Sequence, residues 1–362
     1  MKVRRLTGCA GIKRSPRTEL ARLEFCSTFL FDLEDTLLNP LIPVRDIHFG
    51  SSVIVAGIVF FDLFVASPAL RRVDVRLEAT AATFRIRTAA TLWISLALSV
   101  VSGFAWLYLV AARIAGKPFV DVIADGTIWI VLSQTQFGLA WELRFLFAAA
   151  LAACLLLRQT KNTGAPIWSE GLAALLAGAY LGALAFAGHG EEGLGLERYF
   201  HLAADFFHLI AAGLWLGGLI PLALLLVYLR RFREESWISV ACDAASRFSS
   251  LGIVAVGTLL VSGTINALFL ISRVQALAGT GYGRLLLLKI TLFAAMVGLA
   301  GINRQYLLPR LFGDVGMDQG SRTVRWLVRS ALVEIAFGLG VIIIVGVLGI
   351  MEPASNMPAH LH

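Results

Sequence analysis

The sequence predicts an all-α fold, a polytopic membrane helix bundle of about eight transmembrane helices with both termini extracytoplasmic. Of the 362 residues, 58% are hydrophobic and only 15% are charged, and the mean hydropathy is +0.78. A soluble domain has roughly 25% charged and 45–50% apolar residues. Eight apolar runs approach or exceed the roughly 20 residues needed to cross a bilayer, and the 34 glycines suit closely packed membrane helices. These observations exclude a soluble globular domain.

The predicted spans follow the apolar runs in order. They lie at 47–67, 89–112, 139–157, 168–187, 203–229, 247–271, 284–308 and 327–350. A ninth apolar stretch, 119–133, is interrupted by Asp121, Asp125 and Gly126, so we expect an interfacial segment there. Residues 1–45 contain no spanning run, and we expect a polar, poorly ordered or amphipathic extension, or an upstream mis-start. Residues 46–351 then form the membrane domain, and residues 352–362 form a short outer tail.

Basic residues concentrate in alternate loops, and such loops face the cytoplasm. The loops after the first, third, fifth and seventh runs carry most of them: Arg71, Arg72, Arg76, Arg85, Arg87, Arg158, Lys161, Arg230, Arg231, Arg233, Arg247, Arg310, Arg322 and Arg325. The remaining loops and both termini are therefore predicted to lie outside. The net charge of +7 is explained by these loops at an anionic membrane face and gives no reason to expect nucleic-acid binding.

With this orientation, all six histidines of the chain fall on or just below the outer face. His48 opens the first run, His189 follows the fourth, and His360 and His362 lie in the tail. The tail also contains methionines, and thioether and imidazole groups suit Cu(I) and Cu(II) respectively.

The densest cluster is HLAADFFH at 201–208. Its spacing places His201, Asp205 and His208 on one face of a helix. Imidazole and carboxylate are ligands for copper, zinc and iron, and buried ionisable groups in membrane helices generally serve function. His201 and His208 lie about 10 Å apart along the axis, so we expect further ligands from other helices, with His48 and His189 as candidates. The alternatives are that Asp205 caps the helix and that the histidines face lipid headgroups.

Other polar residues within the runs predict a supporting network and an inward path. Glu142, Arg144, Asn266 and Lys289 fall in outer halves and either support the outer site or join helices structurally. Glu334 lies deeper and is the candidate for a relay. Two further residues are less specific: Asp62 near the inner end of the first run, and Met296, which suits either core packing or a soft metal.

Several segments resemble CopD-type copper resistance proteins. The stretch HLAADFFHLIAAGLWLGGLIPL at 201–222 resembles that family's signature, and Ala187-Gly188-His189 resembles its Gly-His element. The resemblance covers residues 45–350 and is most specific over 187–222. The further matches are His48, Arg247-Phe248-Ser249, Ser262 to Ala267, Tyr282 to Arg284 with Lys289, and Asn303-Arg304.

The resemblance implies an inner-membrane protein that imports copper ion, Cu(I) or Cu(II), from the periplasm. It implies copper-site positions at His48, His189, Asp205 and His208, with His201 beside them, and a separate periplasmic partner of the CopC type. The chain departs from the pattern in its long N-terminal tail and in Glu191 and Glu192. We expect no fused CopC-like β-domain, which some family members carry.

Three functions are compatible with these residues. A copper transporter is favoured, and because no P-loop is present it would run downhill, with protons or with a partner. The alternative is a b-type haem protein for membrane electron transfer, with His48 and His208 as axial ligands. A membrane metallo-hydrolase ranks last because HExxH and GxSxG are absent, and we expect no enzyme. The four scattered cysteines indicate neither a disulfide framework nor a thiolate metal finger.

Overall fold

The computed structural model describes residues 39–71, 78–160, 167–187, 196–230, 236–270, 276–313 and 317–351. All regular structure in these ranges is helical, and eight helices are long and apolar enough to cross a membrane. The predicted polytopic helix bundle is confirmed. The spanning helices are α1 (Leu41–Leu70), α2 (Glu78–Ala115), α3 (Gln136–Gln159), α4 (Trp168–Ala187), α5 (Leu196–Leu229), α6 (Trp237–Phe269), α7 (Gly281–Gly313) and α8 (Gln319–Leu348).

Most helices extend beyond the predicted apolar runs. Helix α2 begins at Glu78 and α6 at Trp237, each about ten residues earlier than the apolar pattern indicates. An α-helix satisfies its own backbone hydrogen bonds, so it continues into water after its apolar side chains end. Helix α1 begins at Leu41, inside the predicted extension. There Arg45 donates from Nη1 to the Gly349 carbonyl at 2.7 Å, which joins the N-terminal end of α1 to the C-terminal end of α8.

The apolar stretch at 119–133 forms two short helices, Phe119–Ala124 and Thr127–Gln134, neither of which reaches a spanning length. Gly126 separates them with a φ of +73°, a conformation that glycine adopts without strain. The backbone N–H of Thr127 donates to Asp125 Oδ1 at 3.1 Å, and the Lys117 ammonium pairs with the same carboxylate. These hydrogen bonds, first that of Lys117, lower the pKa of Asp125 to about 2, so the turn carries a fixed charge at neutral pH.

Helix α1 is the central helix of the bundle. Two thirds of its most apolar window is buried, the largest share among the eight spans. It packs against α2, α4, α5 and α8 and contributes to both main hydrophobic clusters. By contrast, the corresponding windows of α6 and α7 are only 17% and 11% buried. The bundle therefore has a tightly held centre and two helices at its lipid-facing edge.

Helices α1 and α5 cross with their backbones in contact. A Cβ added to Gly57 would lie 2.2 Å from the Gly217 carbonyl carbon, and one added to Gly217 would lie 2.2 Å from the Val53 oxygen. Gly217 ends a π-helical turn, Gly213–Gly217, within α5. Small residues at membrane helix crossings permit this close approach, so the pair of glycines sets the spacing between α1 and α5.

We expect Gly57→Ala and Gly217→Ala to destabilise the protein, because the added methyl group must push the two backbones apart. Overpacking of this kind costs about 1–3 kcal/mol. Gly171→Ala is the matched control, since a Cβ at Gly171 meets no atom within 4 Å and Ala favours a helix over Gly. Thermal unfolding of detergent-purified protein checks this. Equal unfolding temperatures for all three variants would show that the crossing tolerates separation.

Candidate functional site

Three side chains of α5, His201, Asp205 and His208, belong to the candidate site. His201 is 7% exposed and stacks on Phe269 of α6, with ring centroids 4.9 Å apart. Its Nε2 lies 3.9 Å from Asp205 Oδ2. The structure thus brings His201 and Asp205 together as the i, i+4 spacing predicted, in a setting that α6 covers.

Asp205 is held from two other helices. The Asn266 side-chain amide of α6 donates from Nδ2 to Asp205 Oδ1 at 2.5 Å. Lys289 and Tyr282 of α7 lie close enough to interact electrostatically with the carboxylate. Asp205 therefore sits where α5, α6 and α7 meet, and a role limited to capping α5 does not account for these contacts.

The hydrogen bonds of His208 select one of its tautomers. The Ser262 hydroxyl donates to the Thr258 carbonyl at 2.6 Å, so its oxygen is left to accept. His208 Nδ1 lies 2.9 Å from that oxygen and must be the donor. Within the described helices, Nε2 has no hydrogen-bond partner and keeps its lone pair. This is the arrangement of metal-binding histidines, in which one ring nitrogen is oriented by a neighbour and the other is left for the metal.

His48 has a different environment. The ring is 1% exposed and lies between Trp106 and Trp141. Nδ1 donates to the Ser99 carbonyl at 2.8 Å, and Nε2 accepts from Arg144 Nη2 at 2.6 Å. Both nitrogens are therefore engaged, and a guanidinium occupies the direction from which a metal would approach.

Arg144 is buried without a carboxylate partner among the described residues. It is 1% exposed and donates from Nη1 to the Tyr180 carbonyl at 2.5 Å and from Nη2 to Ser52 Oγ at 3.2 Å. Its guanidinium carbon lies 4.5 Å from the centroid of the Tyr180 ring, so ring faces provide the stabilisation that a carboxylate usually gives. Arg144 and His48 join α1, α2, α3 and α4 in one polar cluster.

His48 and His208 lie in separate clusters although their depths match. Each lies nine residues before the glycine at which its helix crosses the other. In a regular helix nine residues correspond to half a rotation, so His48 faces away from the crossing with α5 and toward α2 and α3. His208 contacts α6, where its Cε1 would lie 3.5 Å from a Cβ at Gly263. His208 lies on the same face of α5 as Asp205 and His201, and the described contacts of His48 are with none of these three side chains.

Of the predicted support residues, Asn266 and Lys289 adjoin Asp205, and Arg144 adjoins His48. Glu142 is exposed on α3 and contributes to neither cluster. Met296 is 3% exposed in the core beside α5. His189, His360 and His362 lie outside the described residues.

Glu334 lies at the middle of α8 and is 1% exposed. Asn303 Nδ2 of α7 donates to its Oε1 at 2.8 Å, and Ser330 and Trp215 also hydrogen-bond the side chain. Asn303 begins a second π-helical turn, Asn303–Leu307. A buried acid at mid-membrane depth, satisfied from two other helices, is consistent with the predicted inward path.

Asp62 belongs to an ion-pair cluster at the predicted inner side. Arg158 Nη2 of α3 lies 3.6 Å from Asp62 Oδ2 and 3.8 Å from Glu170 Oε1 of α4. Ser67 Oγ also donates to Glu170 Oε1, at 3.3 Å. The sequence reasoning missed Glu170 and assigned no role to Ser99, Ser262 or Tyr180. Hydroxyl residues in apolar runs have no pattern that separates ligand-orienting from packing roles.

Among the residues that the structure describes, no three His, Cys, Asp or Glu side chains are arranged to hold one metal ion. Helix α5 can supply Asp205 and one or two imidazoles as ligands to one ion. A complete ligand set therefore needs a contribution from outside these residues or a rearrangement around His48.

Similarity to known proteins identifies the family of this chain. Residues 35–199 match the N-terminal domain of copper resistance protein D-like proteins, and residues 243–348 match copper resistance protein D. Copper resistance protein D of Pseudomonas syringae pv. tomato is 32% identical over 320 residues, which covers 87% of this chain and 97% of that protein. The chain belongs to the copper resistance protein D family. The CopD resemblance predicted from the sequence motifs is confirmed.

Two further proteins are similar to this CopD family member, one over nearly its whole length and one over about half of it. Inner membrane protein YebZ of Escherichia coli (strain K12) is 31% identical over 312 residues, which covers 86% of this chain and 98% of that protein. Copper transport protein CutJ of Bacillus subtilis (strain 168) is 29% identical over 328 residues, which covers 90% of this chain and 55% of that protein. No solved structure matches the chain.

We expect Ser262→Ala to weaken copper binding about 10- to 100-fold, the usual cost of losing a group that orients a metal ligand. Without the Ser262 hydroxyl, the His208 ring would no longer be held in the orientation that leaves Nε2 available. Ser250→Ala on the exposed part of the same helix is the control, since Ser250 bonds only its own helix, at the Ser246 carbonyl. Copper titration of purified protein, with bound metal counted by mass spectrometry, measures the difference. Unchanged affinity in Ser262→Ala would indicate that His208 is not a ligand.

Proposed function

We propose that this protein imports copper across the bacterial inner membrane, capturing the ion at an outer His/Asp site on α5. Family membership supports a copper-handling membrane protein. The observation that carries the proposal further is the state of His208: Ser262 orients the ring, and Nε2 is left without a hydrogen-bond partner in the described structure. Asp205 lies one turn above it, and imidazole with carboxylate suits copper.

The capture site in this proposal comprises His208, Asp205 and His201, and His189, which lies outside the described residues, is a further proposed ligand. Asp205 offsets the charge of the arriving ion. Lys289 also interacts with Asp205, and its positive charge opposes the ion once that carboxylate is engaged. This opposition keeps the site from holding copper too tightly, a requirement for any carrier.

His48 is proposed as a second copper position, at the depth of His208 and on the side of α1 that faces α2 and α3. Arg144 Nη2 donates to its Nε2 at 2.6 Å, so His48 accepts copper only when the guanidinium turns away. The Arg144 side chain retains the Tyr180 carbonyl and ring as partners in such a movement. The pair therefore acts as a gate in which one cation excludes the other.

The inward path follows one face of α7. Lys289, Met296 and Asn303 are spaced seven residues apart, so they form one stripe along that helix. Lys289 adjoins the capture site, Met296 is buried beside α5, and Asn303 holds Glu334. The thioether suits Cu(I), and Glu334 carries the charge of the ion or its proton at mid-depth. The copper donor on the outer side is a separate periplasmic protein of the CopC type.

We expect His208→Ala and Asp205→Asn to lower copper accumulation to near the level of cells without the protein, because each removes a ligand from the capture site. Glu334→Gln should lower accumulation while copper binding by the purified protein is retained. The control is Ser250→Ala, and total cell copper is measured by mass spectrometry at matched expression. Wild-type cells that hold no more copper than vector controls would contradict import, and a Soret band in the purified protein would support haem binding instead.

His48→Gln tests the proposed gate separately from the fold. The glutamine amide can donate to the Ser99 carbonyl and accept from Arg144, so the polar cluster is retained, but copper loses its imidazole. We expect normal expression and unfolding temperature with copper accumulation reduced several-fold. Full accumulation would show that His48 serves only to hold Arg144.

Import requires the α5 site to face the outside of the cell. This placement follows from the orientation that the basic loops predict. Lys117 and Arg230 are both exposed, and each follows the C-terminal end of its span, α2 and α5. The predicted orientation places these two ends on opposite sides of the membrane. In a cysteine-free background, we expect Lys117→Cys to react with a membrane-impermeant maleimide in intact spheroplasts and Arg230→Cys to react only after lysis. The reverse pattern would place the site at the cytoplasmic face and reverse the direction of transport.

A further inference from the structure

A cavity of about 330 Å³ lies at the predicted inner end of the bundle and is lined mainly by α1, α2 and α3. Arg158 and Gln159 line it and are the last two residues of the α3 span, so the mouth of the cavity lies at the membrane surface. Its volume falls in the range of roughly 300–1,000 Å³ typical of small-molecule sites. None of its lining residues belongs to the α5 capture site, the His48 cluster or the proposed inward path.

The wall of the cavity changes from polar to apolar in the same direction on all three helices. Each helix contributes a polar residue near the mouth and an aliphatic residue nearer the membrane centre. The pairs are Asp62 and Ile58 on α1, Arg85 and Leu92 on α2, and Gln159 and Leu155 on α3. This gradient matches an amphiphilic ligand whose headgroup stays at the surface while its chain points toward the bilayer centre.

Two opposite charges at the mouth are accessible to a ligand. The Asp62 side chain is 43% exposed, and Arg85 of α2 is exposed. They interact electrostatically, but within the described part of the chain no ion pair joins them or engages Arg85. Arg158, by contrast, is shared between Asp62 and Glu170 and is only 20% exposed. Arg85 is therefore the guanidinium that an incoming anionic group would meet.

The mixed charge at the mouth narrows the class of ligand. A purely anionic headgroup would be repelled by Asp62, and a purely cationic one by Arg85, whereas a zwitterion satisfies both. A guanidinium binds phosphate through charge-assisted hydrogen bonds. A carboxylate binds a primary ammonium in the same way, because that group carries N–H donors that a quaternary ammonium lacks.

Helices α2 and α3 touch in their outer halves and separate toward the inner end. Phe104 stacks on Phe145 with ring centroids 4.2 Å apart. Ile86 precedes Phe104 by about five helical turns, and Leu156 follows Phe145 by about three. These two residues thus lie on the faces of α2 and α3 that meet in the outer half, yet they are 68% and 52% exposed. An acyl chain can therefore leave the cavity between them.

We propose that this cavity binds a zwitterionic aminophospholipid, such as phosphatidylethanolamine, from the leaflet at this end of the bundle. The phosphate accepts hydrogen bonds from Arg85, and the primary ammonium donates to Asp62. One acyl chain begins against Leu92 and passes between Ile86 and Leu156 into the surrounding lipid. The inference does not rest on copper transport.

The test adds phospholipids with identical acyl chains to delipidated, detergent-purified full-length protein, and native mass spectrometry measures the bound fraction. We expect phosphatidylethanolamine to bind about tenfold more tightly than phosphatidylglycerol, which lacks the ammonium, or phosphatidylcholine, whose ammonium has no N–H. Equal binding of the three lipids would overturn the proposal. A preference for phosphatidylglycerol would also overturn it, because it would indicate a surface for anionic lipids.

Charge variants test the two polar contacts separately. Asp62→Asn should remove the preference for phosphatidylethanolamine over phosphatidylcholine, and Arg85→Gln should lower the affinity for both lipids about tenfold. Arg87→Gln is the matched control, since Arg87 is an exposed arginine of α2 that does not line the cavity. The unfolding temperature of each variant reports whether it is folded. A retained preference in folded Asp62→Asn, or unchanged binding in folded Arg85→Gln, would refute the assignment.

A cavity-filling variant tests the apolar part without changing any charge. Ala89 lines the cavity on α2, so Ala89→Leu should lower the affinity for phosphatidylethanolamine about tenfold by occupying part of the space. Ala90→Leu is the matched control, because Ala90 is exposed on the same helix and does not line the cavity. Undiminished binding in Ala89→Leu would show that the lipid binds elsewhere on the protein.

Discussion

The bilayer core contains no water, so each polar side chain placed there must find its partners within the protein. The rest of this structure depends on that constraint. Arg144 takes the Tyr180 carbonyl and His48, Asn266 takes Asp205, and Asn303 takes Glu334. Each pairing joins two different helices, and losing one partner leaves the other buried and unsatisfied. The polar contacts therefore specify which helices are neighbours, while the glycine crossing of α1 and α5 specifies how closely they approach.

The same constraint gives His48 and His208, which lie at equal depth, different surroundings. Both rings use Nδ1 as a donor, His48 to a backbone carbonyl and His208 to a serine hydroxyl. They differ only in what lies beyond Nε2. A guanidinium fills that position at His48, and no described group fills it at His208. Two imidazoles at equal depth thus differ in what they offer: both ring nitrogens of His48 are engaged, and His208 keeps Nε2 without a described partner.

Apolar periodicity and length were sufficient to predict the eight helices, because a membrane span has a required length that the sequence records directly. The pairing of Asp205 with His201 was also predictable, since both lie on one helix face. The separation of His48 from His208 was not, because the rotation of a helix about its axis depends on packing at residues such as Gly57 and Gly217. Nor could the role of Ser262 be predicted, because the sequence around a serine in an apolar run looks the same whether that serine orients a ligand or only packs.

The distribution of burial then limits where movement is feasible. Helix α1 is enclosed by neighbours and its backbone contacts α5, so displacing it would disrupt much of the core. Helices α6 and α7 bury the least surface, and regions with few buried contacts are the cheapest to displace. Helix α7 carries Lys289 beside Asp205 at one level and Asn303 beside Glu334 two heptads further along. A helix moves largely as a rigid rod between its irregular turns, and in α7 the first such turn begins at Asn303. A change of charge at Asp205 that shifts Lys289 therefore also shifts Asn303 and its hydrogen bond to Glu334.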